Sequence, residues 1–412
     1  MQKVSVPWGL WYGETPFEMT FPDQWRVISC AMKDAPDIAD EQIREALLQP
    51  LETPPLSELA RGRKDAVIAV DDMTRPTQAY RILPIIIQQL EEGGLQAHRV
   101  TIVIALGAHR SLDLRDMVKK LGQQIVESMA IYNHHPYENL AYLGKSSRGT
   151  DIYVNRFFAE ADLKIGLSFI TPHPLAGFGG GGKIVLPGLG GIDTLEQNHR
   201  PGVRGVSGGI GFVEGNEVRA EIEEVARRVG LEFSINVVGN SRGQTAGIFA
   251  GDLVAAHRAA VDLAMKVYAT PAPPLLDIAV FNAWPKDSEF LQAVNAFNVW
   301  RTGYRELVRK GGAVVISSAC SEGRGYHGLM AKGMRLYMKV NERGHVADIF
   351  RQRRVYFFSP RATRPDLRDY YAEEVQLFKQ WPDLIEELSR NYGPGSLVGV
   401  FPCSTLQYLV DS

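Results

Sequence analysis

Three consecutive runs decide the fold: DAVIAV at 65–70, RILPIIIQQLEE at 81–92 closed by Gly93-Gly94, and VTIVIAL at 100–106. The outer two are short, β-branched and almost wholly apolar, which predicts strands. The middle run repeats its apolar residues at helical spacing, so the three together read as strand, crossover helix and parallel strand. ADLKIGLSFI (161–170), a helical segment near EVRAEIEEVARRVG (217–230) and FSINVVG (233–239) continue the alternation. Helical spacing over 255–267 leads into ATPAPP (269–274), whose clustered prolines favour an extended connection. Beyond it LDIAVFNAW (276–284) and GGAVVISSAC (311–320) predict further strands, with helices over RTGYRELVRK (301–310) and PDLIEELSRNYG (382–393). The expected fold is α/β with two domains, 1–269 and 275–412, each a mostly parallel sheet flanked by helices, and an active site in the cleft between them.

The chain has 412 residues, more than one ordinary core supports, and its 45% hydrophobic and 22% charged residues are those of a globular protein. Lys and Arg total 45 against 47 Asp and Glu, so no overall field attracts nucleic acid or an anionic membrane, and any anion recognition must be local. Cys30, Cys320 and Cys403 form no close pair of the zinc or redox kind, which suits a reduced cytoplasm. Cys320, in SSACSEGRG, is read as a buried small hydrophobe, with a place facing the cleft as the alternative. The start, MQKVSVPWGLWYGETPF, lacks a signal-peptide pattern, and no run approaches the roughly 18 apolar residues of a membrane helix. A cytoplasmic location is expected.

In open α/β sheets ligands bind outside the carboxyl ends of strands, and four strand-end segments carry chemistry. Asp71-Asp72-Met73-Thr74-Arg75-Pro76-Thr77 offers a guanidinium able to grip a carboxylate bidentately; an Asp–Arg pair that only caps the next helix is the alternative. Gly107-Ala108-His109-Arg110 sets an imidazole at a strand end, for proton transfer or as a structural group. His173 opens PHPLAGFGGGGK, where four glycines let the backbone approach a phosphate, with Lys183 directly after them. Gly177 and Gly182-Lys183 satisfy GxxxxGK, but Ile184 supplies no hydroxyl for magnesium, so this is not a Walker loop; a purely structural glycine turn stays open. His199, in Asn198-His199-Arg200, is either a metal ligand or a helix-end residue. His109, His173 and His199 gain weight as a set because their segments converge, whereas His134 and His135, in NHHPYENL, are read as structural.

DDMTRPT, GAHR, PHPLAGFGGGGKIVLPG, the NH of QNHR, EGNEVR, INVV and GDLVAAHRAAVDLAMKVY occur in one order over most of residues 1–270. In that set the chain resembles the nickel-pincer lactate racemases and their homologues. The resemblance implies a nickel-pincer nucleotide (nickel pyridinium-3,5-bisthiocarboxylic acid mononucleotide), covalently attached at Lys183, with His199 as nickel ligand. It implies Gly180, Gly181, Gly182 and Asp72 around the cofactor, His109 and His173 as an acid/base pair, and Arg75 on the substrate carboxylate. The implied reaction inverts C2 of a 2-hydroxy acid: hydride leaves to the cofactor, a planar 2-keto acid turns over, and hydride returns on the other face. Cofactor-biosynthesis proteins would load the site, and the substrate is the small-molecule partner, with no nucleic acid or membrane involved.

One departure bears on the substrate. The lactate-active pattern has a Tyr-Gln pair followed three residues later by a lysine, and here the run is Leu291-Gln292-Ala293-Val294-Asn295. Gln292 remains a substrate-binding candidate and Asn295 stands where the cation would be, which suits a neutral polar substituent. Lys286 and Trp284 are candidates to reshape the pocket. Lactate is therefore one candidate beside sugar acids and longer or aromatic 2-hydroxy acids. Two other classes remain open: a zinc hydrolase using the three histidines, and a nucleotide- or sugar-acid-binding protein without catalysis.

Overall fold

Ala66–Asp71 is buried at every residue, as is Leu276–Asn282 apart from one partly exposed position. Strands of this kind, apolar on both faces, belong in parallel sheets covered by helices on both sides. The computed structural model describes residues 1–13, 16–203, 209–302, 306–344 and 346–411, and each of these strands lies near the middle of a six-stranded sheet.

The first sheet runs, edge to edge, Thr245–Gly251, Phe233–Gly239, Leu163–Phe169, Ala66–Asp71, Val100–Ala105, Ala130–Asn133. All neighbours are parallel except the pair Phe233–Gly239 and Thr245–Gly251. The order reverses direction between Ala66–Asp71 and Leu163–Phe169, which opens a crevice at their carboxyl ends. The second sheet runs Gln376–Phe378, Arg354–Phe358, Val308–Ser317, Leu276–Asn282, Leu397–Phe401, Arg26–Ser29, all parallel. Its order reverses between Leu276–Asn282 and Leu397–Phe401.

Helix Ala79–Glu92 buries Ile82, Leu83, Ile86 and Leu90 against the first sheet, the apolar stripe anticipated over 81–92. Helix Glu217–Val229 is capped by Asn216, whose side chain accepts from the Arg219 amide, and ends at Gly230 in the left-handed conformation. Among the described residues no helix is long and apolar enough to cross a membrane.

Two local expectations are corrected, and a third is borne out with a partner added. The segment Arg26–Ser29, counted with the first unit, completes the second sheet by pairing with Leu397–Phe401; only a partner some 370 positions away decides where this short strand goes. The helix expected over 301–310 is confined to Asn298–Arg301, residues 303–305 lie outside the described residues, and Val308 already starts the strand beside Leu276. Ala269–Pro271, in the proline-rich connection, is extended and pairs with Tyr408–Val410.

Candidate functional site

The loops leaving Ala66–Asp71, Val100–Ala105 and Leu163–Phe169, three adjacent strands of the first sheet, and the segment after Leu276–Asn282 of the second all line one cavity of about 270 Å³. Arg75, His109, His173, Lys183, His199, Gln292 and Asn295 meet there, although they span more than two hundred positions of sequence.

Asp72 is buried. One of its carboxylate oxygens accepts from the backbone N–H and hydroxyl of Thr74 at 2.9 and 2.5 Å, and the other faces His109 Nδ1 at 2.5 Å. Burial pushes the Asp72 carboxyl up, but the charge and hydrogen bond of His109 hold it well below the usual carboxylate range. An ionised Asp72 fixes the His109 tautomer with hydrogen on Nδ1, leaving the Nε2 lone pair free to accept from Gln292 Nε2 at 3.2 Å. Asn295 in turn donates to the carbonyl of Gln292 at 2.9 Å and to its side-chain oxygen at 3.2 Å. The helix-capping Asp–Arg pair is not what forms. Asp71 pairs with Lys120 at 2.7 Å, and Arg75 donates to the Thr74 hydroxyl at 2.7 Å.

His173 is oriented differently. Its Nδ1 accepts from the backbone N–H groups of Leu175 and Ala176, both at 3.2 Å, so its ring hydrogen sits on Nε2. That nitrogen lies 3.1 Å from Lys183 Nζ. Burial, then the charges of Arg219, Arg75 and Lys286, depress the Lys183 ammonium well below the ordinary lysine range. A neutral Lys183 amine therefore accepts from His173 Nε2–H. On helix Ile192–Val203, His199 donates Nδ1–H to the Leu195 carbonyl at 2.8 Å. Burial lowers it to about 4, so its Nε2 lone pair is available at neutral pH.

The glycines of the loop differ in what they touch. Gly179 and Gly180 line the cavity, but Gly181 and Gly182 do not. A Cβ on Gly181 would meet the His257 ring at 3.0 Å, and one on Gly182 the Ile222 carbonyl at 3.0 Å. Their smallness serves close packing against the two helices behind the loop. Gly180 does both: it faces the cavity with φ +77°, and a Cβ there would strike Ile170 at 2.3 Å.

His134 sits outside the cavity, bonded to the Gly190 carbonyl at 2.9 Å and to Asn155 at 3.3 Å. Cys320 is buried away from it, its thiol pushed up to about 12 by burial. Trp284 does not reach the cavity, whereas Lys286 does. Lys286 is 3% exposed, has no partner among the described residues, and is depressed well below the ordinary lysine range by burial and then by Arg75. It brings an amine to the second-sheet side of the cavity, where Asn295 brings an amide.

Two functional groups escaped the sequence. Lys120, fully buried, donates to the carbonyls of Asp72 and Arg75 at 2.9 and 2.8 Å and so holds the loop in shape; it stands on a short amphipathic helix, Leu114–Leu121, where nothing marks it. His327, after the strand Val308–Ser317, lines the cavity with its ring 5.1 Å from that of His109. Its Nδ1 accepts from the N–H groups of Leu329 and Met330, both at 3.2 Å, a copy of the turn at His173. The shared spacing His-x-Leu-x was the one signal that could have found it.

Comparison with known proteins gives one family. Residues 12–207 match the lactate racemase N-terminal domain. A lactate racemase from Lactiplantibacillus plantarum is 32% identical over 298 residues, covering 70% of this chain and 69% of that protein. One from Thermoanaerobacterium thermosaccharolyticum is 29% identical over 336 residues, covering 80% and 77%. The fold is that of the lactate racemase apoprotein from the same organism, with a TM-score of 0.80 at 23% identity over 100% of both chains. A Thermotoga maritima protein aligns with a TM-score of 0.68 at 18% identity, covering 91% of this chain and 100% of that one.

Proposed function

The chain belongs to the lactate racemase family, and on that premise we propose that it inverts the C2 carbinol of a small 2-hydroxy acid with the help of a nickel-pincer nucleotide. The observation that carries the proposal is the meeting, in one cavity, of an amine with no acid partner among the described residues, Lys183, with an imidazole whose free nitrogen is Nε2, His199.

The donor set fits that group. A neutral amine is the form that can make a thioamide bond, and a histidine whose Nδ1–H is held by a carbonyl is oriented as metal-ligating histidines are. Arg75 brings positive charge, while the carboxylates of Asp71 and Asp72 are already engaged, so an anionic ligand is favoured. The three-histidine zinc reading gains no support: among the described residues no three His, Cys, Asp or Glu side chains stand grouped to hold a metal.

Bound there, the cofactor supplies an acceptor for the C2 hydrogen and its electron pair. Arg75 and Lys286 hold the substrate carboxylate, which keeps the planar 2-keto acid in place while it turns over. His109, with its Nε2 lone pair set by Asp72, takes the hydroxyl proton on one face, and His173 presents Nε2–H on the other. A thioamide at Lys183 would have no lone pair to accept that hydrogen, which would then face the substrate oxygen. Cofactor-biosynthesis proteins acting on the same cavity, and a cytoplasmic location, belong to this proposal.

The test is a panel of enantiopure 2-hydroxy acids incubated with cofactor-loaded protein and scored by chiral chromatography, with intact mass on the same sample. Inversion with C2 deuterium retained, and an adduct lost in Lys183→Ala, are the expected results. Washout of C2 deuterium into solvent during inversion would sink the hydride route.

A further inference from the structure

The part of the cavity built by the second sheet is not shaped for a methyl group. Starting from the reacting end, Gln292 faces His109 and accepts from Asn295, so these two amides are tied to each other and to the base. Leu291, Val294 and Val340, in the same lining, present only carbon. Polarity returns with two groups. The Tyr371 hydroxyl is buried with no hydrogen-bond partner among the described residues. Arg343 donates through Nε and Nη2 to the Met338 carbonyl, at 3.3 and 3.0 Å, and pairs with no carboxylate among the described residues. Tyr371, Tyr337 and Tyr370 are the ionisable groups that act on it, and it acts in turn on His327.

A buried hydroxyl without a partner, next to a guanidinium without an acid, is what a site looks like when the ligand brings the acceptor. We propose that this end of the cavity receives the C3 substituent of the substrate, and that the substituent is an apolar spacer, aryl or alkyl, ending in a carboxylate or another anion that pairs with Arg343 and Tyr371. The proposal rests on the racemase reading and names its substrate class. Lactate would leave both polar groups uncovered. A sugar acid would set a row of hydroxyls against Leu291, Val294 and Val340, where their hydrogen bonds to water are lost without replacement.

The test separates the two readings. Apoprotein is titrated calorimetrically with lactate, gluconate, 2-hydroxyhexanoate, 2-hydroxyadipate and 3-(4-carboxyphenyl)-2-hydroxypropanoate, and cofactor-loaded enzyme is assayed with the same acids. At least one acid with a distal carboxylate should bind about tenfold or more tighter than lactate and than 2-hydroxyhexanoate, with gluconate no better than lactate. Arg343→Met should erase that advantage and leave 2-hydroxyhexanoate unchanged, Arg343→Lys should restore part of it, and Tyr371→Phe should weaken the distal acid severalfold without loss of folding. Lactate bound and inverted best, with Arg343→Met indifferent, would overturn this substrate class while the racemase reading stands. Distal acids bound through Arg343 but never inverted would overturn the racemase reading while the binding site stands.

Discussion

On the wall built by the first sheet, each ionisable side chain has a partner in its own wall: His109 has Asp72, His173 has two backbone amides, His199 has the Leu195 carbonyl, and Arg75 has Thr74. On the wall built by the second sheet, Lys286 and the Tyr371 hydroxyl have none among the described residues, and Arg343 has only a carbonyl. The contrast separates two tasks. Groups that move protons must be held in one tautomer and one orientation before substrate arrives, and their partners do that. Groups that recognise a substrate keep their hydrogen-bonding capacity for it.

The largest expected effect comes from unsettling the first wall. Asp72→Asn keeps the shape but removes the charge that holds hydrogen on His109 Nδ1, so the ring can present Nε2–H where a lone pair is needed. Losing a positioned base costs about 10²- to 10⁴-fold, and the loss should fall on kcat with KM nearly constant. Steady-state kinetics in both directions check it; a change confined to KM would break the division of labour.

Lys286→Met is the counterpart on the second wall. Hydrogen bonds to a charged group contribute about 1.5–3 kcal/mol, so KM should rise about 10- to 100-fold while kcat holds. A fall in kcat at constant KM would move Lys286 into the chemistry.

Acid should separate the walls by stability. His134, His173, His199 and His257, all on elements around the first sheet, are held neutral mainly by burial, against His327 alone on the side of the second. His134 is lowered from 6.5 to about 4. Its folded value lies below its unfolded one, so the unfolded chain binds the proton first, and its contribution is full above pH 6.5 and lost as pH falls toward 4. For this residue the loss is at most about 3 kcal/mol. Hydrogen exchange between pH 7 and 5 should show the first sheet opening before the second, and the reverse order would contradict the placement of the neutral imidazoles.

The first wall was legible and the second largely was not, for a physical reason. DDMTR, GAHR and PHPLAGFGGGGK each follow an apolar run that could only be a buried strand, so their residues had to reach the carboxyl edge of one sheet. Lys286, His327 and Arg343 come from separate, less regular segments whose convergence depends on tertiary packing. Gly181 and Gly182 pack against neighbouring helices, and in sequence a glycine needed there looks like one needed against a phosphate. Arg26–Ser29 shows the same limit for the fold: four residues do not say which of two parallel sheets they will extend.

The smallest effect expected is a matter of where one hydrogen sits, and it bears most directly on the comparison. His173 and His327 lie on opposite walls in the same turn, each with Nδ1 accepting from the amides two and three residues on. Both should therefore be Nε2–H tautomers, whereas His109, against Asp72, should be Nδ1–H. Nitrogen-15 imidazole spectra of the apoprotein at neutral pH, assigned with His109→Gln, His173→Gln and His327→Gln, distinguish the two forms without any turnover. If His327 shares the pattern of His173, the second wall holds one oriented imidazole beside its unpartnered groups, and its Nε2–H opens to the cavity next to the base. If instead His109 proves to be Nε2–H, Asp72 does not set the base, and the contrast drawn between the walls fails at its strongest point.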